Sequence, residues 1–143
     1  MRSLLVLILF VFQLSLAQTK GAKIEFKQIE NTLDFGTVNK DEDNGIRYFE
    51  FTNTGDEPLV ITNAQSTCGC TVPSFPKEPI APGGTGKIQI KYNMNPGPIR
   101  KTITIESNAI NTEGGMVALK IKGEVVVKPI VSPLEKKKSA PMQ

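Results

Sequence analysis

The stretch Lys87-Ile88-Gln89-Ile90-Lys91-Tyr92 alternates polar or charged residues with apolar ones at every position. Successive side chains of an extended strand point to opposite faces, so this alternation places all the apolar side chains on one face. A helix would instead need apolar residues three or four positions apart. The stretch therefore predicts a half-buried β-strand in a sheet that has one solvated face.

The same period-two pattern recurs on both sides of this stretch. Phe49 and Phe51 share one face of a predicted strand, and comparable runs cover residues 24–27, 33–38, 58–63, 99–105 and 117–122. Turn signals separate the runs, and Pro82-Gly83 suits the two central positions of a type II turn. About seven short strands in roughly 100 residues predict an all-β fold, a single immunoglobulin-like antiparallel β-sandwich over residues 23–127.

The composition limits the chemistry of the chain. Its 143 residues include two cysteines, no tryptophan and no histidine, so it cannot build a Ser-His-Asp triad, a Cys-His pair or an imidazole-ligated zinc or haem site. The remaining acid–base candidates occupy positions typical of solvated strands and turns; they are Asp34, Glu50, Asp56 and Glu57. We therefore expect a non-enzyme without catalytic, cofactor-binding or metal-binding residues.

The first 17 residues have the features of a secretory signal peptide. A basic start at Arg2 precedes an apolar run from Leu4 to Phe12, and small residues follow at Ser15 and Ala17. The run is shorter than the roughly 20 residues that a membrane-spanning helix needs. We expect cleavage after Ala17 and a periplasmic or extracellular protein, exported across the inner membrane, without a stable transmembrane anchor.

The charge distribution separates the body of the chain from its ends. Residues 128–143 are rich in lysine and proline and are predicted to be a disordered tail. The net charge is +3, yet the segment from Lys23 to Val125 contains 11 basic and 13 acidic residues. Nucleic-acid binding needs clustered positive charge on the folded body, so no nucleic-acid partner is expected.

One segment has a feature that the strands and turns do not explain. It is Ser66-Thr67-Cys68-Gly69-Cys70-Thr71-Val72-Pro73, and it begins a proline- and glycine-rich connection to Gly86. In an extended strand the two thiols would face one side. Three interpretations remain open. The cysteines form a disulfide or redox-poised pair, as an oxidising compartment favours; or they bind Cu(I), with help from Met94 and Met116 if the fold brings them close; or they are small buried structural residues that turn the chain.

The order of several stretches resembles the bacterial secreted domain of unknown function 1573 family, which is related in fold to the ASPM/SPD-2/hydin immunoglobulin-like domains. The similar stretches are Leu33–Val38, Phe49–Ile61, Cys68–Pro73, Pro79–Gly83 and Ile121–Val125. The resemblance implies an immunoglobulin-like fold outside the cytoplasm. It implies no assigned activity.

These observations predict a non-catalytic binding or structural module of the bacterial envelope. Its partner would be an envelope or cell-surface protein, contacted through the connection from Ser66 to Gly86. The candidate contact residues are Thr67, Gly69, Thr71 and Pro73. The alternative is a thiol-redox or Cu(I)-handling protein that uses Cys68 and Cys70.

Overall fold

The computed structural model describes residues 19–129, which form two four-stranded β-sheets. The predicted signal peptide and residues 130–143 of the predicted tail lie outside the described residues. The strands are β1 (Ile24–Phe26), β2 (Thr32–Asn39), β3 (Ile46–Asn53), β4 (Ile61–Ser66), β5 (Thr71–Ser74), β6 (Thr85–Tyr92), β7 (Gly97–Ser107) and β8 (Met116–Val126). Two 3₁₀ turns cover Ile29–Asn31 and Glu113–Gly115. No helix in residues 19–129 is long and apolar enough to cross a membrane.

The sheet topology confirms the predicted all-β sandwich and corrects one detail. The first sheet has the order β1-β3-β6-β5, and the second has the order β2-β8-β7-β4. Every pair is antiparallel except β2 and β8, which are parallel. The sandwich is therefore not wholly antiparallel. The strands β2 and β3 lie in different sheets, so β2 pairs instead with β8, whose direction is already set by its antiparallel pairing with β7.

The apolar side chains of the alternating runs fill the space between the two sheets. In β3, Phe49 and Phe51 are buried while Tyr48 is exposed, as the period-two pattern predicts. Burying one Leu, Ile or Phe side chain contributes about 1.5–3 kcal/mol. The largest fully buried apolar side chains come from both sheets and from the Leu59 bridge, and are Phe49, Phe51, Leu59, Ile88, Ile90, Ile99, Ile103, Ile105, Leu119, Ile121 and Val125.

The connection before β6 contains the predicted type II turn. Gly84 donates its N–H to the Ala81 carbonyl at 2.8 Å, which closes a four-residue turn around Pro82 and Gly83. Gly83 has a φ of +77°, as the third position of this turn requires. A residue with a Cβ atom would be strained there, so the glycine determines where the chain reverses before β6.

An ion pair stabilises the connection between β2 and β3. The Arg47 guanidinium lies 2.7 Å from an Asp43 carboxylate oxygen and 4.4 Å from the centre of the buried Phe35 ring. The hydrogen bond from Arg47 holds the pKa of the Asp43 carboxyl below its ordinary value. This loop is therefore held by a charge pair and by a cation–π contact with the core.

A buried asparagine joins several segments at the end of β3. Asn53 has no exposed surface, and its Oδ1 accepts hydrogen bonds from the Lys23 N–H at 3.3 Å and the Gly55 N–H at 3.0 Å. Its Nδ2 donates to the Glu57 carbonyl at 2.7 Å and the Ile80 carbonyl at 2.9 Å. The amide thus makes the four hydrogen bonds available to it, and this explains how it can be buried.

We expect Asn53→Ala to lower the free energy of unfolding by about 2–4 kcal/mol, because it leaves the Lys23 and Gly55 N–H groups without this acceptor. Urea denaturation followed by circular dichroism measures the change. The control is Asn95→Ala, at an exposed position where a change within about 0.5 kcal/mol is expected. Equal stability of the two variants would contradict the assignment of Asn53 as a structural centre.

Candidate functional site at the Cys-Gly-Cys turn

The Cys-Gly-Cys segment lies where the chain passes from one sheet to the other. It connects β4, at one edge of the second sheet, with β5, at one edge of the first sheet. Cys68, Gly69 and Cys70 form a turn between these strands rather than part of a strand. The expectation that both thiols project from one face of an extended strand is therefore wrong, because the chain must bend here to change sheets.

Cys68 and Cys70 are joined by a disulfide bond. Their Cα atoms are 5.4 Å apart, closer than the roughly 6.6 Å between residues i and i+2 of an extended strand. This distance lies within the range typical of disulfides. Of the three interpretations of the cysteines, the structure shows the disulfide.

Backbone hydrogen bonds hold the turn on both sides of the disulfide. On the β4 side, the Thr67 N–H donates to the Thr102 carbonyl of β7 at 3.1 Å. On the β5 side, the Asn93 N–H donates to the Cys70 carbonyl at 2.9 Å. The Cys70 side chain also packs against the core, whereas Cys68 does not belong to that cluster. The turn is therefore attached to both sheets independently of the S–S bond.

The four predicted contact residues have different surroundings. Thr67 and Gly69 are exposed, and a Cβ atom added to Gly69 would meet no atom within 4 Å. Pro73 is half-buried in β5. Thr71 is only 3% exposed as a whole residue, and its hydroxyl has no hydrogen-bond partner among the described residues. Thr71, predicted as a contact residue, therefore lies in the interior, opposite the inward-facing Tyr92 of β6.

The predicted long connection from Pro73 to Gly86 is also corrected, since Thr71–Ser74 forms the short edge strand β5. Val72, which was not among the predicted contact residues, is 60% exposed on this strand. An exposed Val72 side chain follows from a strand in which Val72 alternates with Thr71 and Pro73. The sequence did not predict that strand, since proline is unusual within strands away from sheet edges.

The free edge of β5 presents backbone groups for further pairing. The Cys70 carbonyl accepts its hydrogen bond from Asn93, the residue that follows β6, whereas Tyr92, opposite Thr71, donates its N–H away from β5 to Gly45. Hydrogen-bonded and non-hydrogen-bonded pairs alternate in an antiparallel ladder. The Thr71 N–H and carbonyl and the Pro73 carbonyl are therefore directed away from β6. Proline has no N–H to leave unpaired, which fits its place on this edge.

The candidate acid–base residues do not meet in a common cleft. Asp34 lies 3.7 Å from Lys122 on the outer face of the second sheet. Glu50 lies 3.1 Å from Lys27 on the outer face of the first sheet, on the opposite side of the sandwich. The Asp56 carboxylate accepts the Gly21 N–H at 2.8 Å, and Glu57 is exposed. Asp34, Glu50 and Asp56 thus serve surface ion pairs and a turn.

The two methionines considered for Cu(I) binding are far apart. Met94 is buried, one residue beyond Asn93. Met116 lies opposite Glu106, four residues further along β7 than Thr102, which corresponds to about 13 Å. The structure therefore does not bring Met116 to the disulfide. Within residues 19–129, no group of three or more His, Cys, Asp or Glu side chains is placed to hold a metal ion.

We expect the double variant Cys68→Ser, Cys70→Ser to keep the fold and to lose only about 1–2 kcal/mol of unfolding free energy. The closed loop is very short and removes little entropy from the unfolded chain. Urea denaturation of the variant and of the reduced, alkylated natural chain should give the same midpoint. A variant without native circular dichroism would contradict this expectation, because it would show that the disulfide is required for folding.

The architecture is similar to that of several solved structures. A protein of unknown function from Porphyromonas gingivalis W83 has a TM-score of 0.62 and 20% identity over 77% of this chain. This chain spans 50% of that protein's length. The PapD-like domain 7 of human CEP192 has a TM-score of 0.56 and 14% identity over 82% of this chain and 96% of its own. At these identities the similarity shows the fold alone.

No curated protein matches the chain. The sequence profile of DUF1573, described as a protein of unknown function, matches residues 24–125. The match begins at the first residue of β1 and ends one residue before the end of β8. It also includes the whole Cys-Gly-Cys turn. The chain therefore belongs to the DUF1573 family.

Proposed function

We propose that the chain is a non-catalytic binding module of the bacterial envelope, and that it contacts an extended segment of an envelope or cell-surface protein. The observation that carries the proposal is the free edge of β5 beside the disulfide-closed turn. An edge strand with outward-directed backbone groups can take up one further strand, and this is an established mode of peptide recognition.

The contact surface combines backbone and side-chain elements. The Pro73 carbonyl, directed away from β6 in the half-buried middle of β5, accepts a hydrogen bond from the added strand. The exposed Val72 supplies an apolar contact on the outer face, next to the exposed Lys91 of β6. Because Pro73 has no N–H and Thr71 is buried, the partner donates hydrogen bonds to this edge rather than accepting them. The backbone hydrogen bonds on both sides of the turn keep the start of this edge in one conformation, which lowers the entropy lost on binding.

The proposed compartment rests on two independent features. The first 17 residues have the pattern of a cleavable signal peptide, and disulfides persist mainly in oxidising compartments outside the cytoplasm. A periplasmic or extracellular location follows from both.

We expect the exported protein to begin at Gln18, because the small residues Ser15 and Ala17 fit the signal peptidase site. Intact-mass spectrometry of the protein from periplasmic and cytoplasmic fractions measures this. Replacing Ala17 with a bulky residue, as in Ala17→Leu, should retain the uncleaved form at the membrane. Recovery of uncleaved natural chain in the cytoplasm would contradict the proposed location.

We expect Val72→Arg to weaken binding of an envelope partner at least about tenfold, because the charged side chain replaces the apolar contact beside the edge. The partner is first captured from an envelope extract with the natural chain, and its affinity is then measured by titration. The matched control is Val127→Arg, because Val127 is 53% exposed and directly follows β8, a strand of the other sheet.

Native amide exchange supplies the second measurement for this surface. Binding should slow the exchange of the β5 amides, since an added strand would cover this edge. Equal binding by the Val72→Arg and Val127→Arg variants, without slower exchange in β5, would overturn the proposed surface.

A further inference from the structure

We propose that the Cys68–Cys70 bond is an exchangeable disulfide that oxidises a dithiol on another polypeptide. This activity goes beyond the proposed binding role, and it is tested on the purified chain alone. A negative result in the binding experiment therefore does not contradict the exchange proposal. A negative result in the exchange experiment does not contradict the proposed binding surface.

The fold does not depend on the bond, and this allows the pair to change oxidation state. The Thr67–Thr102 and Asn93–Cys70 hydrogen bonds hold the turn on both sides, and neither involves a sulfur atom. After reduction, the two cysteines remain attached to β4 and β5 with their backbones close together. Two thiols held near each other can form the disulfide again by exchange with another disulfide, which is reduced to two thiols, and the chain need not search for the pairing.

The short loop also places the bond among the more easily reduced disulfides. The two cysteines are only two positions apart, so the bond removes little entropy from the unfolded chain. When a disulfide contributes little to the free energy of unfolding, its reduction costs little folding free energy. Structural disulfides differ, because the folding free energy opposes their reduction.

The surroundings of the two sulfurs indicate which one an incoming thiolate attacks. Both cysteines are partly buried, but Cys70 packs against the core, whereas Cys68 lies outside the core cluster, between the exposed residues Thr67 and Gly69. The space beside Gly69 is open, so a partner chain can approach the turn closely. The segment from Ser66 to Pro73 contains no carboxylate to repel a thiolate. Attack therefore occurs at Cys68, and Cys70 is the leaving group.

The exchange balances without any further reactant. One thiolate of the partner forms an S–S bond to the Cys68 sulfur while the Cys68–Cys70 bond breaks, and the electron pair leaves on the Cys70 sulfur. The second thiolate of the partner then attacks the partner's first sulfur, which is bonded to Cys68 in the mixed disulfide. This forms the partner's disulfide and releases the Cys68 thiolate. The partner dithiol is oxidised to a disulfide by two electrons, and its two protons reach Cys68 and Cys70 through solvent.

The first experiment mixes the oxidised chain, without oxygen, with an equal amount of a synthetic peptide that carries two cysteine thiols. Mass spectrometry after acid quenching should show the peptide two hydrogens lighter and the chain two hydrogens heavier, in equal amounts. The Cys68→Ser, Cys70→Ser variant should leave the peptide reduced. A natural chain that keeps its disulfide and leaves the peptide reduced would overturn the proposal.

The second experiment tests the direction of attack with single variants and oxidised glutathione. Cys70→Ser should form the glutathione mixed disulfide on Cys68 at least about tenfold faster than Cys68→Ser forms it on Cys70, because accessibility governs the rate. Both variants must first show native circular dichroism. Equal rates, or a faster reaction of Cys70, would overturn the assignment of Cys68 as the attacked sulfur.

Discussion

The buried amide of Asn53 is the interaction on which the arrangement of the first sheet depends. It lies at the end of β3 and makes hydrogen bonds to the segment before β1, to the turn after β3 and to Ile80. A buried amide without partners is costly, so these segments must come together in one arrangement. The same region contains the Leu59–Ile80 bridge, which closes the connection that follows β5.

That constraint also positions the Cys-Gly-Cys turn. The chain leaves the Asn53 region along β4, at an edge of the second sheet, and must return to the first sheet beside β6. The crossing takes only the few residues from Thr67 to Cys70, so a sharp bend is unavoidable. The disulfide closes this bend, and the backbone hydrogen bonds on either side attach it to both sheets. The only disulfide within the described part of the chain therefore lies where the chain passes from one sheet to the other. Backbone hydrogen bonds already hold the chain in place there.

The binding and exchange proposals share this location for one physical reason. Edge strands and sheet-to-sheet turns are the places where a sandwich leaves backbone groups and side chains accessible. The β5 edge offers few donors, since Pro73 has none, and β5 has only four residues. A short edge with few donors limits indiscriminate strand pairing. A partner strand at this edge would lie next to the disulfide.

The sequence by itself determined the all-β class, the inward faces of the strands and the turn at Pro82-Gly83, because these depend on local alternation and on the backbone preferences of proline and glycine. The tertiary structure decided the parallel pairing of β2 with β8, the strand at Thr71–Ser74, the buried Thr71 and the hydrogen bonds of Asn53. It also decided that Met116 lies far from the cysteines. These features depend on contacts between residues distant in sequence, and a local pattern contains no information about which strand will lie beside which.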